Sequence, residues 1–131
     1  MEKKNNQKIL LVDDNPNIID LYSSVFLEYG FKFSTAKNGR EAIEKAEAEK
    51  PSLILLDIML PDLNGFDVLK TLKENPSTES LTVWVLSVLA EQANLDRARS
   101  LGADDYLVKS SYTPAQICEK IQKFFTRAEE L

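Results

Sequence analysis

The 131-residue chain contains no histidine. Catalytic triads and dyads that rely on imidazole are therefore excluded within the chain, as is a His-ligated zinc site. A single cysteine, Cys118, excludes an internal disulfide. It falls beside the apolar stripe of the last expected helix, which makes it small core packing rather than a redox sensor. No apolar run approaches the roughly 18 residues of a membrane span. The N-terminal MEKKNNQK is polar and lacks the apolar stretch of a signal peptide, so the expected location is cytoplasmic, without membrane insertion. Basic excess is missing as well. There are 16 Lys and Arg against 21 Asp and Glu, a net charge of −5, which argues against nucleic acid as a direct partner. It suits a metal cation or a basic protein surface. Any chemistry must run on carboxylates, hydroxyls, lysine and a hard metal.

What is present is the composition of one ordinary domain, 44% hydrophobic and 28% charged. The stretch KILLVDDNP, residues 8–16, ends an apolar run in two adjacent carboxylates, Asp13 and Asp14. Ile9–Val12 reads as a strand covered on both faces. Asn15-Pro16 then supplies a helix cap and a first-turn proline. Ile18, Leu21, Tyr22, Val25 and Tyr29 recur at helical spacing up to Gly30. FKFSTA (31–36) alternates as a half-exposed edge strand. Asn38 and Glu41 have capping-box spacing for a helix over Arg40–Glu49, which Lys50-Pro51 stops. LILLD (53–57) is a second apolar run ending in a carboxylate. The loop IMLPDLNG leads to a helix carrying Val68, Leu69 and Leu72, broken at Asn75-Pro76. TVWVLS (82–87) is a fourth strand, with Trp84 in the core. Glu91–Leu101 is a fourth helix closed by Gly102, and DYLVK (105–109) a fifth strand. Thr113, Pro114 and Gln116 cap the last helix, whose buried face carries Ile117, Ile121, Phe124 and Phe125.

Five strands alternating with five helices imply one open, doubly wound parallel sheet of the α/β class. Asp13 and Asp14 end strand one, Asp57 ends strand three, Ser87 ends strand four and Lys109 ends strand five. In such sheets the ligand crevice lies outside the carboxyl ends of the strands, where strand order reverses. With order 2-1-3-4-5, all three carboxylates converge there. Adjacent like charges need a cation. Mg²⁺ fits best because it takes one or two carboxylates, keeps several waters and often shares a phosphate; Ca²⁺ or Mn²⁺ could substitute. Lys109 is then either a plain counter-ion or, with the Ser87 hydroxyl, a grip on a phosphoryl group. In the second case Asp57 is the nucleophile of an aspartyl-phosphate.

These residues resemble the receiver domain of bacterial two-component response regulators, of the single-domain chemotaxis type. The carrying motifs are VDD (12–14), DIMLPDLNG (57–65), Ser87 and GADDYLVK (102–109). The resemblance runs over about residues 7–127 and implies one receiver domain over 1–131 without an output domain. It also supplies the flavodoxin-like strand order 2-1-3-4-5. It further implies that Asp57 is the phosphoacceptor, that Asp14 binds Mg²⁺ directly and Asp13 mostly through water, and that the Met59 backbone carbonyl is a third protein ligand. Ser87 and Lys109 would contact the phosphoryl group. Tyr106 corresponds to the aromatic that turns inward when Ser87 moves to the phosphate, remodelling the face made by helix four, strand five and helix five. The donor would be a phosphohistidine on a sensor histidine kinase or a histidine phosphotransfer protein. The recipient of the signal would be another protein, and the chain would be a monomer or a phosphorylation-dependent dimer.

Three positions depart from the family pattern. Val88 stands where a small residue is usual, which could narrow access to Asp57, and the apolar Leu89 follows it. With Met59 they imply slow self-hydrolysis. Ser110 stands where proline is usual, after a bond that is typically cis. The loop is either rebuilt in trans or keeps the cis bond. Taken singly, each site residue has a plain structural explanation: a cap, a loop start, a strand-end hydroxyl, a solvated lysine or a half-buried ring. Their coincidence on one rim favours function.

Three other readings compete with a working receiver. A phosphatase of the haloacid-dehalogenase type wants a second aspartate two residues after the nucleophile, where this chain has Met59. The chain is accordingly expected not to be an enzyme beyond its own phosphorylation and dephosphorylation. A flavodoxin-like cofactor site wants a Gly/Ser/Thr-rich loop where this chain has DDNPN. A degenerate receiver, acting as a phosphorylation-independent docking module, is the remaining alternative.

Overall fold

The computed structural model describes residues 7–130. Strands β1 (Lys8–Val12), β2 (Lys32–Ala36), β3 (Leu53–Leu56), β4 (Val83–Ser87) and β5 (Asp105–Val108) pair in parallel. Their order is β2-β1-β3-β4-β5. Helices α1 (Pro16–Glu28), α2 (Gly39–Glu49), α3 (Gly65–Glu74) and α4 (Gln92–Ser100) form the crossovers, and α5 (Pro114–Glu130) follows β5 and packs back on the sheet. The doubly wound sheet and its strand order are as expected.

Alternation along the strands divides the core in two. Leu10, Val12, Ile54, Leu56, Val83 and Val85 point to the face covered by α2, α3 and α4. Ile9, Leu11, Leu53, Leu55, Trp84, Leu86 and Leu107 point to the face covered by α1 and α5, where Phe26, Ile117, Cys118 and Ile121 meet them. The expected core positions of Trp84 and Cys118 hold. Burial also pushes the Cys118 thiol up to about 12, so it stays protonated and inert.

The caps explain most element ends. Asn15 accepts from the Asn17 amide, and Thr113 and Gln116 bond reciprocally at the start of α5. Gly30 and Gly102 take positive φ just past α1 and α4, where any other residue would be strained. Four sequence expectations need correction. The α4 helix is shorter than 91–101 because Glu91 is its extended N-cap and Leu101 its C-cap. α2 begins one residue before Arg40, at Gly39. Glu41 takes the Lys37 amide rather than completing a capping box with its own N-cap, Asn38. Leu21 lies on the exposed side of α1, while Tyr22 and Phe26 form its buried stripe. Strand ends differ from expectation by one residue, as ends generally do.

α4 is the least anchored helix. Ala98 is its only fully buried residue, although Arg97 stacks on the Phe66 ring of α3 at 4.2 Å. No helix among the described residues is long and apolar enough to cross a membrane.

Candidate functional site

The site lies where the order of strands reverses, between β1 and β3. The ladder continues one residue past each strand: the Asp13 amide donates to Ala36 and the Asp57 amide to Val12. These bonds fix both backbones, so both carboxylates emerge at the same rim. Asp13, Asp14 and Asp57 each offer an oxygen, all within 4.8 Å of one another. Asp13 and Asp57 are buried, whereas Asp14 is exposed.

Lys109 reaches back across the sheet from the end of β5. Its ammonium donates to Asp13 Oδ2 at 2.6 Å and to Asp57 Oδ2 at 3.3 Å. Its peptide bond to Ser110 is trans, since no described bond is cis, and Lys109–Ser111 forms a short 3₁₀ turn. The Ser110 departure is thus met by a rebuilt loop that still delivers the lysine.

Burial pushes the Asp57 carboxyl above its ordinary range. The Lys109 charge opposes this, Asp13 adds to it, and the Met59 amide donating at 3.2 Å partly offsets it. Burial would depress Lys109, but its hydrogen bond to Asp13 and the charges of Asp57 and Asp13 outweigh that and raise it. It remains a cation. The donor set is all oxygen with one fixed ammonium, which fits a hard divalent ion and rules against a soft one.

The loop after β3 is closed at its base. The Gly65 amide donates to the Ile58 carbonyl at 2.7 Å. A Cβ on Gly65 would lie 2.4 Å from Ile58 Cα and 2.5 Å from the Asp57 carbonyl oxygen, so the close approach requires glycine. Ser87 is fully buried at the end of β4, with its hydroxyl accepting from the Leu89 amide at 3.2 Å. The Tyr106 ring is half-buried against the core, and its hydroxyl donates to the Leu89 carbonyl at 2.8 Å. The structure therefore brings Asp13, Asp14, Asp57 and Lys109 into one cluster and links Ser87 to Tyr106 through Leu89. Met59 joins the cluster by its backbone, while its side chain is exposed. Val88 is also exposed, and it is Met59 and Leu89 that border the groove beside Asp14.

One contact outside the carboxylate cluster is not legible in the sequence. Asp62, at the tip of the loop after β3, accepts from the Gly39 and Arg40 amides at the start of α2. Nothing in PDLNG beyond a turn composition signals that reach.

Residues 9–122 match the model of the response regulator receiver domain. The chain belongs to that family. A curated relative, the alkaline phosphatase synthesis transcriptional regulatory protein PhoP of Bacillus subtilis, is 37% identical over 126 residues, covering 95% of this chain and 50% of that protein. Chemotaxis protein CheV1 of Helicobacter pylori is 32% identical over 94% of this chain and 39% of its own length. The receiver thus spans half or less of the length of these two curated relatives. Among solved structures, a CheY-like receiver domain protein from Methanospirillum hungatei is 27% identical with a TM-score of 0.84, covering 95% of this chain and 97% of that one. The BeF3-activated receiver domain of Klebsiella pneumoniae RstA is 27% identical with a TM-score of 0.81, covering 91% and 98%.

Proposed function

We propose that this receiver accepts a phosphoryl group on Asp57 from a phosphohistidine of a sensor kinase or phosphotransfer protein, with Mg²⁺ held by Asp13, Asp14, Asp57 and the Met59 backbone carbonyl. The observation that carries the reading is the joining of three carboxylates and one lysine at the switch point of the sheet. An oxygen of Asp57 forms the new bond to phosphorus as the bond to the imidazole nitrogen breaks, and the freed imidazole takes a proton from solvent. Mg²⁺, when bound, would offset charge on the phosphoryl oxygens. Lys109 supplies a second, fixed positive charge beside Asp57, already desolvated and oriented by Asp13. The Ser87 hydroxyl stands ready at the end of β4 to meet a phosphoryl oxygen.

The output follows from the same links. If the Ser87 hydroxyl turns to a phosphoryl group, it gives up the Leu89 amide that it now accepts. Leu89 also receives the Tyr106 hydroxyl, and it precedes the weakly anchored α4. A charge added at Asp57 thereby biases the α4–β5–α5 face that a partner protein reads. The receiver catalyses its own phosphorylation and dephosphorylation and turns over no other substrate.

The test is direct chemical mapping. After transfer from a phosphorylated histidine phosphotransfer protein, borohydride reduction should convert residue 57, and no other aspartate, to homoserine. Conversion at Asp13, Asp14 or elsewhere contradicts the assignment.

A further inference from the structure

The loop that carries Met59 is held at two points. At its base, the Ile58 carbonyl accepts from Gly65. At its tip, Asp62 Oδ1 accepts from the Gly39 amide at 2.7 Å and Oδ2 from the Arg40 amide at 3.0 Å. Oδ1 also accepts from Leu63 at 2.7 Å, which fixes the carboxylate within its own turn. These backbone donors, Gly39 first among the causes, hold the Asp62 carboxyl below its ordinary range, as expected of an anion at a helix start. The tip is also pressed close: a Cβ on Gly39 would lie 2.8 Å from Leu63 Cβ and 2.8 Å from a Val68 methyl. Asn38 separately caps α2 by accepting from Glu41. Met59, Leu60 and Pro61 therefore run between two pinned ends, and the backbone at Met59 has little freedom to turn.

The geometry points to Asp62 as a positioning residue for the metal centre, clasping the loop to α2 so that the Met59 backbone, whose amide donates to Asp57 Oδ1 at 3.2 Å, is held beside the carboxylates. This rests on the reading of those residues as a Mg²⁺ site. Groups that hydrogen-bond a ligand directly commonly affect metal affinity by about 10–100-fold, and Asp62, which acts through the loop, falls at the low end of that range.

The test is Mg²⁺ titration by calorimetry on wild type, Asp62→Ala, Asp62→Asn and Asn38→Ala, with half-saturating Mg²⁺ for phosphorylation by acetyl phosphate measured in parallel. Asp62→Ala should weaken Mg²⁺ binding about tenfold and raise half-saturating Mg²⁺ equally, with the rate at saturating Mg²⁺ within about twofold of wild type. Asp62→Asn keeps one acceptor oxygen and should recover part of the affinity. Asn38→Ala removes a cap from the same helix without touching the loop and should bind Mg²⁺ as wild type does. Unchanged affinity in Asp62→Ala overturns the clasp, and so does an equal loss in Asn38→Ala, which would make the effect one of helix stability. If wild type itself binds no Mg²⁺, the metal reading falls and the clasp with it.

Discussion

Lys109 is bound more closely to Asp13 than to Asp57, at 2.6 against 3.3 Å. The fixed cation of the site is thus carried by the carboxylate that is not the proposed nucleophile. Asp57 keeps a weaker ion pair and a raised proton affinity. Asp13 should therefore be the structural member of the three. Asp13→Ala leaves a mostly buried ammonium with one partner and should cost roughly 2–3 kcal/mol, below the ~3–5 of a fully broken buried pair. Asp14→Ala, at an exposed position, should cost under about 0.5 kcal/mol. Urea unfolding in the presence of a chelator measures both.

Asp57 itself should be a stability liability when no divalent cation is bound. Its folded-state proton affinity is raised, chiefly by burial, so ionisation is less favourable in the folded than in the unfolded chain. The sign follows: stability is highest below the unfolded-state value and falls as pH rises through the folded-state value. Asp57→Asn should thus melt above wild type at pH 7 in chelator, and the gap should close as pH falls and Asp57 protonates. A gain of about 1 kcal/mol corresponds to roughly 3–5 °C in a domain of this size. A variant that melts below wild type at pH 7 contradicts this.

Adding Mg²⁺ should reverse that order. A ligand of the folded state alone stabilises by about 2.7 kcal/mol at about a hundred times its Kd. Wild type should gain this increment, and Asp14→Ala and Asp57→Asn should lose most of it. Thermal melts with Mg²⁺ and with chelator provide the comparison.

Tyr106→Phe removes a hydroxyl donor to the Leu89 carbonyl and should cost about 1 kcal/mol. The loss should be local. Hydrogen exchange should quicken at residues 88–91 and along α4, which has one fully buried side chain to hold it. Uniform change across the sheet would show that the bond is not a local restraint.

The lifetime of the phosphoryl group should depend on Met59 and Leu89 more than on Val88, because the first two border the groove beside Asp14 and Val88 does not. Replacing Met59 and Leu89 with asparagine and serine should shorten the lifetime about tenfold, equivalent to about 1.4 kcal/mol of barrier. Val88→Ala should change it less than threefold, about 0.65 kcal/mol. Decay of radiolabel measures each.

The legible parts of the fold were those written in local pattern. Ile9–Val12 and Leu53–Leu56 are short apolar runs of strand length bounded by polar residues, and Asn15-Pro16, Gly30, Gly102 and Thr113-Pro114 mark the helix ends. The carboxylate cluster was legible because its members directly follow the apolar runs of two strands, Asp13 and Asp14 after β1 and Asp57 after β3. Contacts made between loops and distant helices were not. Asp62 meets Gly39 across 23 positions of chain, and Glu41 accepts from the Lys37 amide rather than from that of its own cap. Leu21 satisfies helical spacing yet faces outward, since Tyr22 and Phe26 already fill the stripe under α1. That Lys109 approaches Asp13 more closely than Asp57 is set across the sheet, 96 and 52 positions away in the chain, and no spacing rule announces it.

The central claim is tested most directly by intact mass after incubation with acetyl phosphate, with and without Mg²⁺, on wild type and Asp57→Ala. A single phosphoryl addition to wild type that requires Mg²⁺ and is absent from Asp57→Ala is the predicted result. Addition that persists in Asp57→Ala, or none at all under conditions that modify a control receiver, would contradict it.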